Sequence, residues 1–392
     1  MNGVKAIWNR WKGKGRRLDV MKKIPLIKPY VTEEVKDRVC RVLDSGYLTE
    51  GPVTREFENQ LTGYLGCRHA LAVSNCTVGL EMGLRAMGVG PGDEVIVPDY
   101  TYPATAAVVN IVGATSVLVD IDPTNMLIDY DALEKAITPK TKAVMPVSIF
   151  GNPLDYDRLR ALQEKHGIYV LEDAACSIGA RYDGTAVGNR ADISVFSFHP
   201  RKFITTGEGG AVTTNRDDWA AWMSSYKHFG MGAHASRKGT RFVRIGGNYK
   251  LSNVLAAIGT VQMAHIDFLL SAREKRVRRY QQGLEGVSGV RIPETTPKGA
   301  HSWQSFCIFV KNRDEIIEKL REKGIETQIG TYALHLHEAF RDNAACRIMG
   351  DMAGSLYAFD HCLTLPLYHD MTAPDQAYVV EELARIVEDW DR

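Results

Sequence analysis

The sequence predicts an α/β protein in which helices cover a large, mostly parallel sheet and a small α+β domain follows at the C-terminal end. Amphipathic helical segments alternate with short apolar strands from about Ile24 onward. The strands are near-continuous in Val, Ile and Leu, as expected where helices cover both faces of a sheet. A chain of 392 residues, 45% of them hydrophobic, is also long enough for a large core and a smaller second one.

The large domain is predicted over residues 24–260. The stretch EVIV reads as a strand, followed by a loop over Pro98–Tyr102 and a helix. Further helices are expected around Tyr130–Ala136 and over Leu154–His166. The remaining strands of the sheet are TSVLVDID, KAVMPVSIF, IYVLEDAA and, beyond Ala191, the shorter DISVFSF and GGAVTT.

The small domain is predicted over residues 261–392. A long helical stretch from Ser252 to about Leu284 is expected to connect the two domains. The strand SFCIFVK, the helix DEIIEKLREKG and a last helix from Asp375 to Glu388 then suit an α+β arrangement.

Charge and composition exclude several classes of protein. Forty-eight Lys and Arg against 47 Asp and Glu give a formal net charge of +1, which does not attract nucleic acid or an anionic membrane. The seven cysteines are scattered without a CxxC pair, so we expect reduced thiols and no metal site. No apolar run is long enough to span a membrane. A cytoplasmic protein is predicted.

Residues 1–23 differ in composition from the rest of the chain, with eight Lys or Arg and two Trp. We expect a disordered tail, or an upstream start with the working chain beginning near Met21. The alternative is an anchor for an anionic surface.

Two residues at the predicted strand ends suggest a cofactor. Asp173 ends the strand IYVLED, and Lys202 follows about 29 positions later, in the loop after the next strand. Enzymes that use pyridoxal 5′-phosphate (PLP) need an amine to form a Schiff base with the cofactor and a buried carboxylate to keep its pyridine nitrogen protonated. Each residue alone has an ordinary interpretation, as a surface charge or a turn residue.

Other residues suggest the rest of a PLP site. Ser197 precedes Lys202 by five positions and can reach the same phosphate. In SNCTVGLEMG, a helix starting at Asn75 or Cys76 would direct the N–H groups of Cys76 and Thr77 at an anion. Tyr102, in the loop after EVIV, can stack on the pyridine ring, although aromatic residues in such loops also pack on the core.

The order of motifs extends this pattern over nearly the whole chain. The stretches are SGYLTEGPVTREFE, SNCTVGL, GPGDEVIVPDYTYPATAAVV, ATSVLVDIDP, ITPKTKAVMPVSIFGNP, VLEDAACSIGA, FSFHPRKFITTGEGGAVTTN, GGNYKLSNVLAAIG and LTLPLY. Together they resemble the DegT/DnrJ/StrS family of PLP-dependent sugar aminotransferases from about Ile24 to Val387. The resemblance implies an aspartate-aminotransferase-like fold of fold type I, with PLP bound by the large domain.

The resemblance also implies roles for residues. Lys202 would be the Schiff-base lysine and Asp173 the pyridinium partner. Tyr102 would stack on the ring, while Ser197, Cys76 and Thr77 would contact the phosphate. A homodimer is implied in which Asn248 reaches the phosphate bound by the other subunit.

The chain departs from the family at two positions. Cys76 stands where a Gly is common, and Cys176 stands where Gln, His or Glu is common. Because Lys202 is not replaced by His, amino transfer is favoured over the dehydration that one family branch performs.

The resemblance implies a reaction in which L-glutamate gives its amino group and leaves as 2-oxoglutarate, and a nucleotide-linked keto-sugar accepts it. Such a product would serve a surface polysaccharide, for example lipopolysaccharide, or a natural product. Tyr332 and His335, of TYALH, are candidate substrate contacts, as is His228. Two alternatives stay open: an aminotransferase acting on a cyclitol or other keto compound, and a catalytically silent PLP-binding regulatory protein.

Overall fold

The computed structural model describes residues 23–232 and 237–388. Apart from Lys23, the predicted tail of residues 1–23 lies outside the described residues. In chain order the strands are β1 (His69–Val73), β2 (Glu94–Pro98), β3 (Tyr100–Thr101), β4 (Thr115–Val119), β5 (Thr141–Val144), β6 (Tyr169–Asp173), β7 (Arg181–Tyr182), β8 (Thr185–Ala186), β9 (Ile193–Ser197), β10 (Gly210–Thr214), β11 (Gly299–Ala300), β12 (Phe306–Phe309), β13 (Gln328–Ile329), β14 (Tyr332–Ala333), β15 (Cys346–Met349) and β16 (Cys362–Leu365).

The helices surround these strands, and short 3₁₀ turns lie at Ile149–Gly151, Arg237–Gly239 and Leu334–Leu336. In chain order the described α-helices are α1 (Glu33–Ser45), α2 (Pro52–Leu65), α3 (Cys76–Ala86), α4 (Ala104–Ile111), α5 (Tyr130–Ala136), α6 (Tyr156–His166), α7 (Asp217–Tyr226), α8 (Asn253–Ala264), α9 (Ile266–Leu284), α10 (Arg313–Glu322), α11 (Glu338–Arg341), α12 (Ala353–His361) and α13 (Ala373–Glu388).

The large sheet has eight strands in the order β1-β10-β9-β6-β5-β2-β4-β15. In this spatial order, the neighbouring strands β9, β6, β5, β2, β4 and β15 pair in parallel. The two pairs that β10 makes, with β1 and with β9, are antiparallel. Separate apolar cores pack on its two faces, for example around Phe57 and Phe196 on one side and around Leu80 and Val95 on the other. The predicted fold class is therefore confirmed.

One edge of this sheet collects the ends of several strands, and we call it the carboxyl edge. Strands β6 and β9 are parallel neighbours, so their last residues, Asp173 and Ser197, lie on this edge. Gly210, the first residue of the antiparallel β10, pairs with Ser197 on one side and with Val73, the last residue of β1, on the other. The loops after β1, β6 and β9 therefore open at the same place.

A third core belongs to the C-terminal part of the chain. There the small sheet β12-β16-β13 packs with α9, α10 and α13 around residues such as Tyr280, Phe306 and Leu383. Ile24 also lies in this core, where it forms a bridge with Ile325. Conversely, β15 belongs to the C-terminal part of the chain but pairs in parallel with β4 of the large sheet. Ile24 thus packs in the C-terminal core and β15 joins the large sheet, while the domain bounds at residues 260 and 261 stay a prediction.

The predicted connector helix is also different in the structure. Two helices, α8 and α9, replace it, and they are bent by 62° at His265. His265 leaves the helical conformation at φ −107° and ψ 13°, where it ends one helix and begins the next. The amphipathic pattern continues across this residue, which is why the sequence predicts one helix. No single described helix is long and apolar enough to cross a membrane, and the bent pair α8 and α9 meets that criterion by length and composition alone.

Candidate active site

Asp173 is a buried carboxylate at the carboxyl edge, with only 4% of its surface exposed. Its Oδ2 accepts a hydrogen bond from Thr105 Oγ1 at 2.8 Å, and its Oδ1 accepts one from the Ala175 N–H at 3.1 Å. Burial raises the pKa of Asp173, while these two bonds and the nearby Lys202 oppose the rise. A carboxylate held in this way is suited to a cationic partner from a ligand.

Thr105, in the first turn of α4, is a residue that the sequence reading missed. Its hydroxyl also lies 2.9 Å from that of Thr101, so the two threonines form a chain of hydroxyl groups that ends on Asp173. Both are buried. The available signal was TYPAT, in which two threonines stand one helical turn apart.

Lys202 lies in the loop between β9 and β10, half-buried, with its Nζ donating to Cys176 Sγ at 3.0 Å. Burial has the largest effect and disfavours the charged form of this amine. Cys176 favours the charged form, and Cys76 and Asp173 do so to a smaller extent. The net effect raises the pKa of Lys202 above its usual value. The structure therefore brings together Lys202, Asp173 and the two cysteines at which the chain departs from the resembling family.

A test of the Cys176 contact follows from this hydrogen bond. In Cys176→Ala the amine loses its strongest stabilising neighbour, so the pKa of Lys202 should fall. Because only the neutral amine attacks a carbonyl, the pH profile of PLP capture should move to lower pH. Mixing cofactor-free protein with PLP over a pH series measures this, and Cys40→Ala, which changes an exposed thiol on α1, serves as the control. An unchanged profile in Cys176→Ala would contradict the role given to this contact.

An anion-binding helix start lies beside these residues. As predicted, α3 begins at Cys76, and Asn75 is its N-cap, with Oδ1 accepting from the Val78 N–H at 3.0 Å. The Gly79 N–H bonds the Asn75 carbonyl, so in the described structure the N–H groups of Cys76 and Thr77 remain for an anion. Cys76 adopts an ordinary negative φ, so its side chain does not prevent backbone donation.

Ser197 and Gly210 complete this part of the site. Ser197 ends β9 with its Oγ near the His199 N–H, at 3.4 Å. Gly210 lies against the start of α3, and a Cβ there would come within 2.8 Å of the Asn75 carbonyl carbon, the Cys76 nitrogen and the Phe196 oxygen. All three are backbone atoms and cannot swing away. Only glycine therefore allows the helix start to lie this close to the sheet.

Gly210→Ala should consequently displace the helix start and weaken PLP binding. We expect a loss of about 1–3 kcal/mol in unfolding free energy, the usual cost of an extra methyl group in a packed site. Thermal unfolding with and without PLP measures both effects. Gly63→Ala is the matched control, because a Cβ at this exposed position in α2 meets nothing within 4 Å. It should stabilise the protein by about 0.5–1 kcal/mol, and equal behaviour of the two variants would contradict the argument.

Tyr102 and Tyr332 lie together at the rim of the site. Strand β14 pairs with β3, which places Tyr332 opposite Thr101, and the two tyrosine rings are 6.3 Å apart. Tyr102 is 67% exposed, so its ring is free to contact a ligand. The predicted ring-stacking residue and a predicted substrate contact thus share one surface, next to the hydroxyl chain that leads to Asp173.

His335 is oriented by a buried carboxylate. Its Nδ1 lies 2.6 Å from Asp99 Oδ2, and its backbone N–H donates to Asp99 Oδ1 at 2.7 Å. Burial raises the pKa of Asp99, and the contact with His335 opposes this rise. An imidazole that donates from Nδ1 to a carboxylate keeps Nε2 for another partner. Sequence reasoning could not find Asp99, since it lies 236 positions from His335.

Two predicted residues make other contacts. His228 Nε2 lies 2.9 Å from Glu50 Oε1, and Glu50 also pairs with the buried Lys227, so His228 belongs to an ion-pair network. Asn248 is exposed, pairs with His228 across an antiparallel bridge, and accepts a hydrogen bond from Lys250. Within the described residues no group of His, Cys, Asp and Glu side chains forms a metal site.

The residues at the carboxyl edge fit PLP. Asp173 could supply the negative charge that a protonated pyridine nitrogen requires, Lys202 could supply the amine, and the start of α3 could supply N–H donors for a phosphate. An amine, a buried carboxylate and an anion-binding helix start on one edge of a mostly parallel sheet define the class, a fold type I enzyme that uses PLP.

Comparisons with known proteins agree with this class of enzyme. The pattern of the DegT/DnrJ/EryC1/StrS aminotransferase family matches residues 29–384. Spr1654 from Streptococcus pneumoniae in its PMP form is 30% identical, with a TM-score of 0.88, and the match covers 93% of this chain and 99% of that one. DesV from S. venezuelae, in complex with a ketimine intermediate, is 31% identical with a TM-score of 0.87 over 93% and 99%.

A third similar structure is PseC from Helicobacter pylori, an aminotransferase involved in the biosynthesis of pseudoaminic acid. It is 26% identical, with a TM-score of 0.88 over 94% of this chain and all of that one, 100%. The chain therefore belongs to the DegT/DnrJ/EryC1/StrS aminotransferase family. It is a PLP-dependent aminotransferase that acts on sugar-type substrates.

Proposed function

We propose that this enzyme transfers an amino group from L-glutamate to a nucleotide-linked keto-sugar, with Lys202 as the residue that holds PLP. The observation that carries the proposal is the arrangement of Lys202, Asp173 and the start of α3 around one site in a member of a sugar aminotransferase family. L-Glutamate leaves as 2-oxoglutarate in the first half of the reaction, and the keto-sugar takes the amino group in the second.

Bound PLP supplies an electron sink that stabilises negative charge on a neighbouring carbon. Asp173 keeps the pyridine nitrogen protonated, and Thr105 holds the Asp173 carboxylate in place. The N–H groups of Cys76 and Thr77, with the Ser197 hydroxyl, would bind the phosphate of PLP, and Tyr102 would stack on its ring. Lys202 Nζ takes the proton from the amine-bearing carbon of the donor and delivers a proton to the sugar carbon that becomes aminated.

We place the substrate contacts at the rim of the site, where Tyr102 and Tyr332 lie. Tyr332 lies beside Tyr102, and His335 is held by Asp99 so that Nε2 can meet a hydroxyl or phosphate oxygen of the sugar. His228 is assigned a supporting role, since its imidazole pairs with Glu50.

The proposed enzyme is a homodimer in which Asn248 contacts the phosphate held by the other subunit. Exposed apolar side chains around Asn248 support this assembly, since such a cluster is unfavourable in water. Phe242 is 65%, Val243 59% and Ile245 93% exposed. A second copy of the chain would cover them, and the proposal predicts that Asn248→Ala weakens PLP binding.

A substrate panel tests the proposed function. The enzyme is first converted with L-glutamate and then offered nucleotide-linked keto-sugars, the same sugars without the nucleotide, and a keto-inositol. We expect turnover of a nucleotide-linked keto-sugar and at least about tenfold lower kcat/KM without the nucleotide, which corresponds to about 1.4 kcal/mol of lost binding. Preference for the keto-inositol would instead establish the cyclitol alternative. A silent PLP-binding protein would already fail in the first step, since no amino donor would convert it.

A further inference from the structure

The loop that carries Lys202 has no strand partner, although the reaction requires its amine at a fixed place. Residues 198–209 connect β9 and β10 without regular secondary structure. The contacts that hold this loop therefore decide where Lys202 Nζ lies.

The side-chain amide of Gln304 bonds to both peptide groups that flank Lys202. Its Oε1 accepts from the Phe203 N–H at 3.1 Å, and its Nε2 donates to the Arg201 carbonyl at 2.8 Å. Such a pair of bonds imitates a neighbouring strand and restricts the backbone dihedral angles of the residue between them. Gln304 is only 6% exposed, so water does not compete for these bonds.

Gln304 is itself fixed by a buried arginine. Arg273, in α9, is 2% exposed, and the hydrogen-bond acceptors that the described residues offer it are backbone carbonyl groups. Its Nε donates to the Trp303 carbonyl and its Nη2 to the Gln304 carbonyl, both at 2.6 Å. Burying an arginine against carbonyl groups alone is costly, and burial lowers the pKa of Arg273 to about 9.

A second contact joins Arg273 directly to the loop. Arg273 lies over the ring of Phe203, with Cζ 5.2 Å from the ring centroid. The residue that fixes Gln304 therefore also packs on the residue that follows Lys202. Arg273 and Gln304 thus form one structural unit that holds the peptide groups before and after Lys202.

We propose that Gln304, fixed by Arg273, is a positioning residue that sets the place of the Lys202 amine for proton transfer. This inference rests on the assignment of Lys202 under the proposed function. Gln304 does not touch a substrate in this account. It acts by holding two peptide groups, and a misplacement of about 1 Å in a reacting group can cost about 10²-fold in rate.

The test compares Gln304→Met with Gln376→Met in the PLP-loaded enzyme. Gln376 is the matched control, because it is also buried and donates Nε2 to a carbonyl of α9, that of Arg276, at 2.8 Å. It does not contact the Lys202 loop. Both variants should lower the thermal midpoint, and Gln304→Met should lower it more, since the Gln304 side chain loses two buried hydrogen bonds and the Gln376 side chain loses one.

The kinetic readout separates positioning from simple stability. We expect kcat of Gln304→Met to fall by at least about tenfold, with KM for the keto-sugar within about twofold of the wild type, because proton transfer and not sugar binding is disturbed. Gln376→Met should keep the wild-type kcat. Equal kcat values in the two variants at a temperature where both are folded would overturn the inference.

A second variant keeps the test possible if Gln304→Met does not fold. Gln304→Glu keeps the acceptor for the Phe203 N–H but loses the donor to the Arg201 carbonyl. It should lower kcat in the same direction, and a wild-type kcat would overturn the inference. The proposed function fails by a different result, namely retention of the PLP absorbance band in Lys202→Ala.

Discussion

Lys202→Ala is expected to abolish amino transfer, with kcat/KM reduced by at least about 10³-fold, because both cofactor attachment and proton transfer lose their amine. The variant should also lack the absorbance band at roughly 400–430 nm that PLP shows when it is bound to a lysine. Steady-state assay with L-glutamate and the accepted keto-sugar, together with the spectrum, checks both statements.

The control for this experiment is Lys142→Ala. Lys142 lies in β5, near the opposite edge of the sheet, where it contacts Asp93. This variant should retain the band and the activity. If Lys202→Ala transfers amino groups at the wild-type rate, another lysine holds the cofactor and the assignment of the site is wrong.

Asp173→Asn is expected to lower kcat by about 10²–10³-fold, a range typical for removing one electrostatic contact that acts in the transition state. The amide is close to the carboxylate in shape, so the hydrogen bond from the Ala175 N–H can persist. It cannot hold a protonated pyridine nitrogen by charge. Rapid mixing of the PLP-loaded variant with L-glutamate measures the first half of the reaction directly.

The same variant should lower activity without lowering the stability of the cofactor-free protein. Burial raises the pKa of Asp173 in the cofactor-free fold, so its charged form opposes folding once the pH exceeds the pKa of the unfolded chain. Removing the charge should therefore leave the cofactor-free protein at neutral pH as stable as the wild type or more stable. Denaturant unfolding of both proteins without PLP measures this. A large loss of stability in Asp173→Asn would show that the carboxylate is needed by the fold and not by the cofactor.

The sequence predicted those parts of the site that follow from local pattern and strand order. Asp173 and Ser197 end apolar strands, and parallel strands bring their ends to one edge. The start of α3 was predictable because Asn75 is a strong N-cap residue immediately before a helical segment. These inferences need only the residues next to each position.

Contacts between distant segments were not predictable in this way. Thr105 lies 68 positions from Asp173, and Gln304 lies 101 positions from Phe203. A threonine or glutamine at such distances gives no periodic signal, and its partner depends on how the two segments pack. The break at His265 and the return of β15 to the large sheet have the same origin, since tertiary packing and not local propensity determines both.

The spectrum of the purified enzyme during one complete cycle tests the central claim most directly. With PLP added, we predict the band at roughly 400–430 nm. L-Glutamate should remove it and release one equivalent of 2-oxoglutarate, and a nucleotide-linked keto-sugar should restore it as the amino-sugar forms. Absence of the band after PLP addition, or a band that glutamate leaves unchanged while another amino donor removes it, would contradict the account in its cofactor or in its donor respectively.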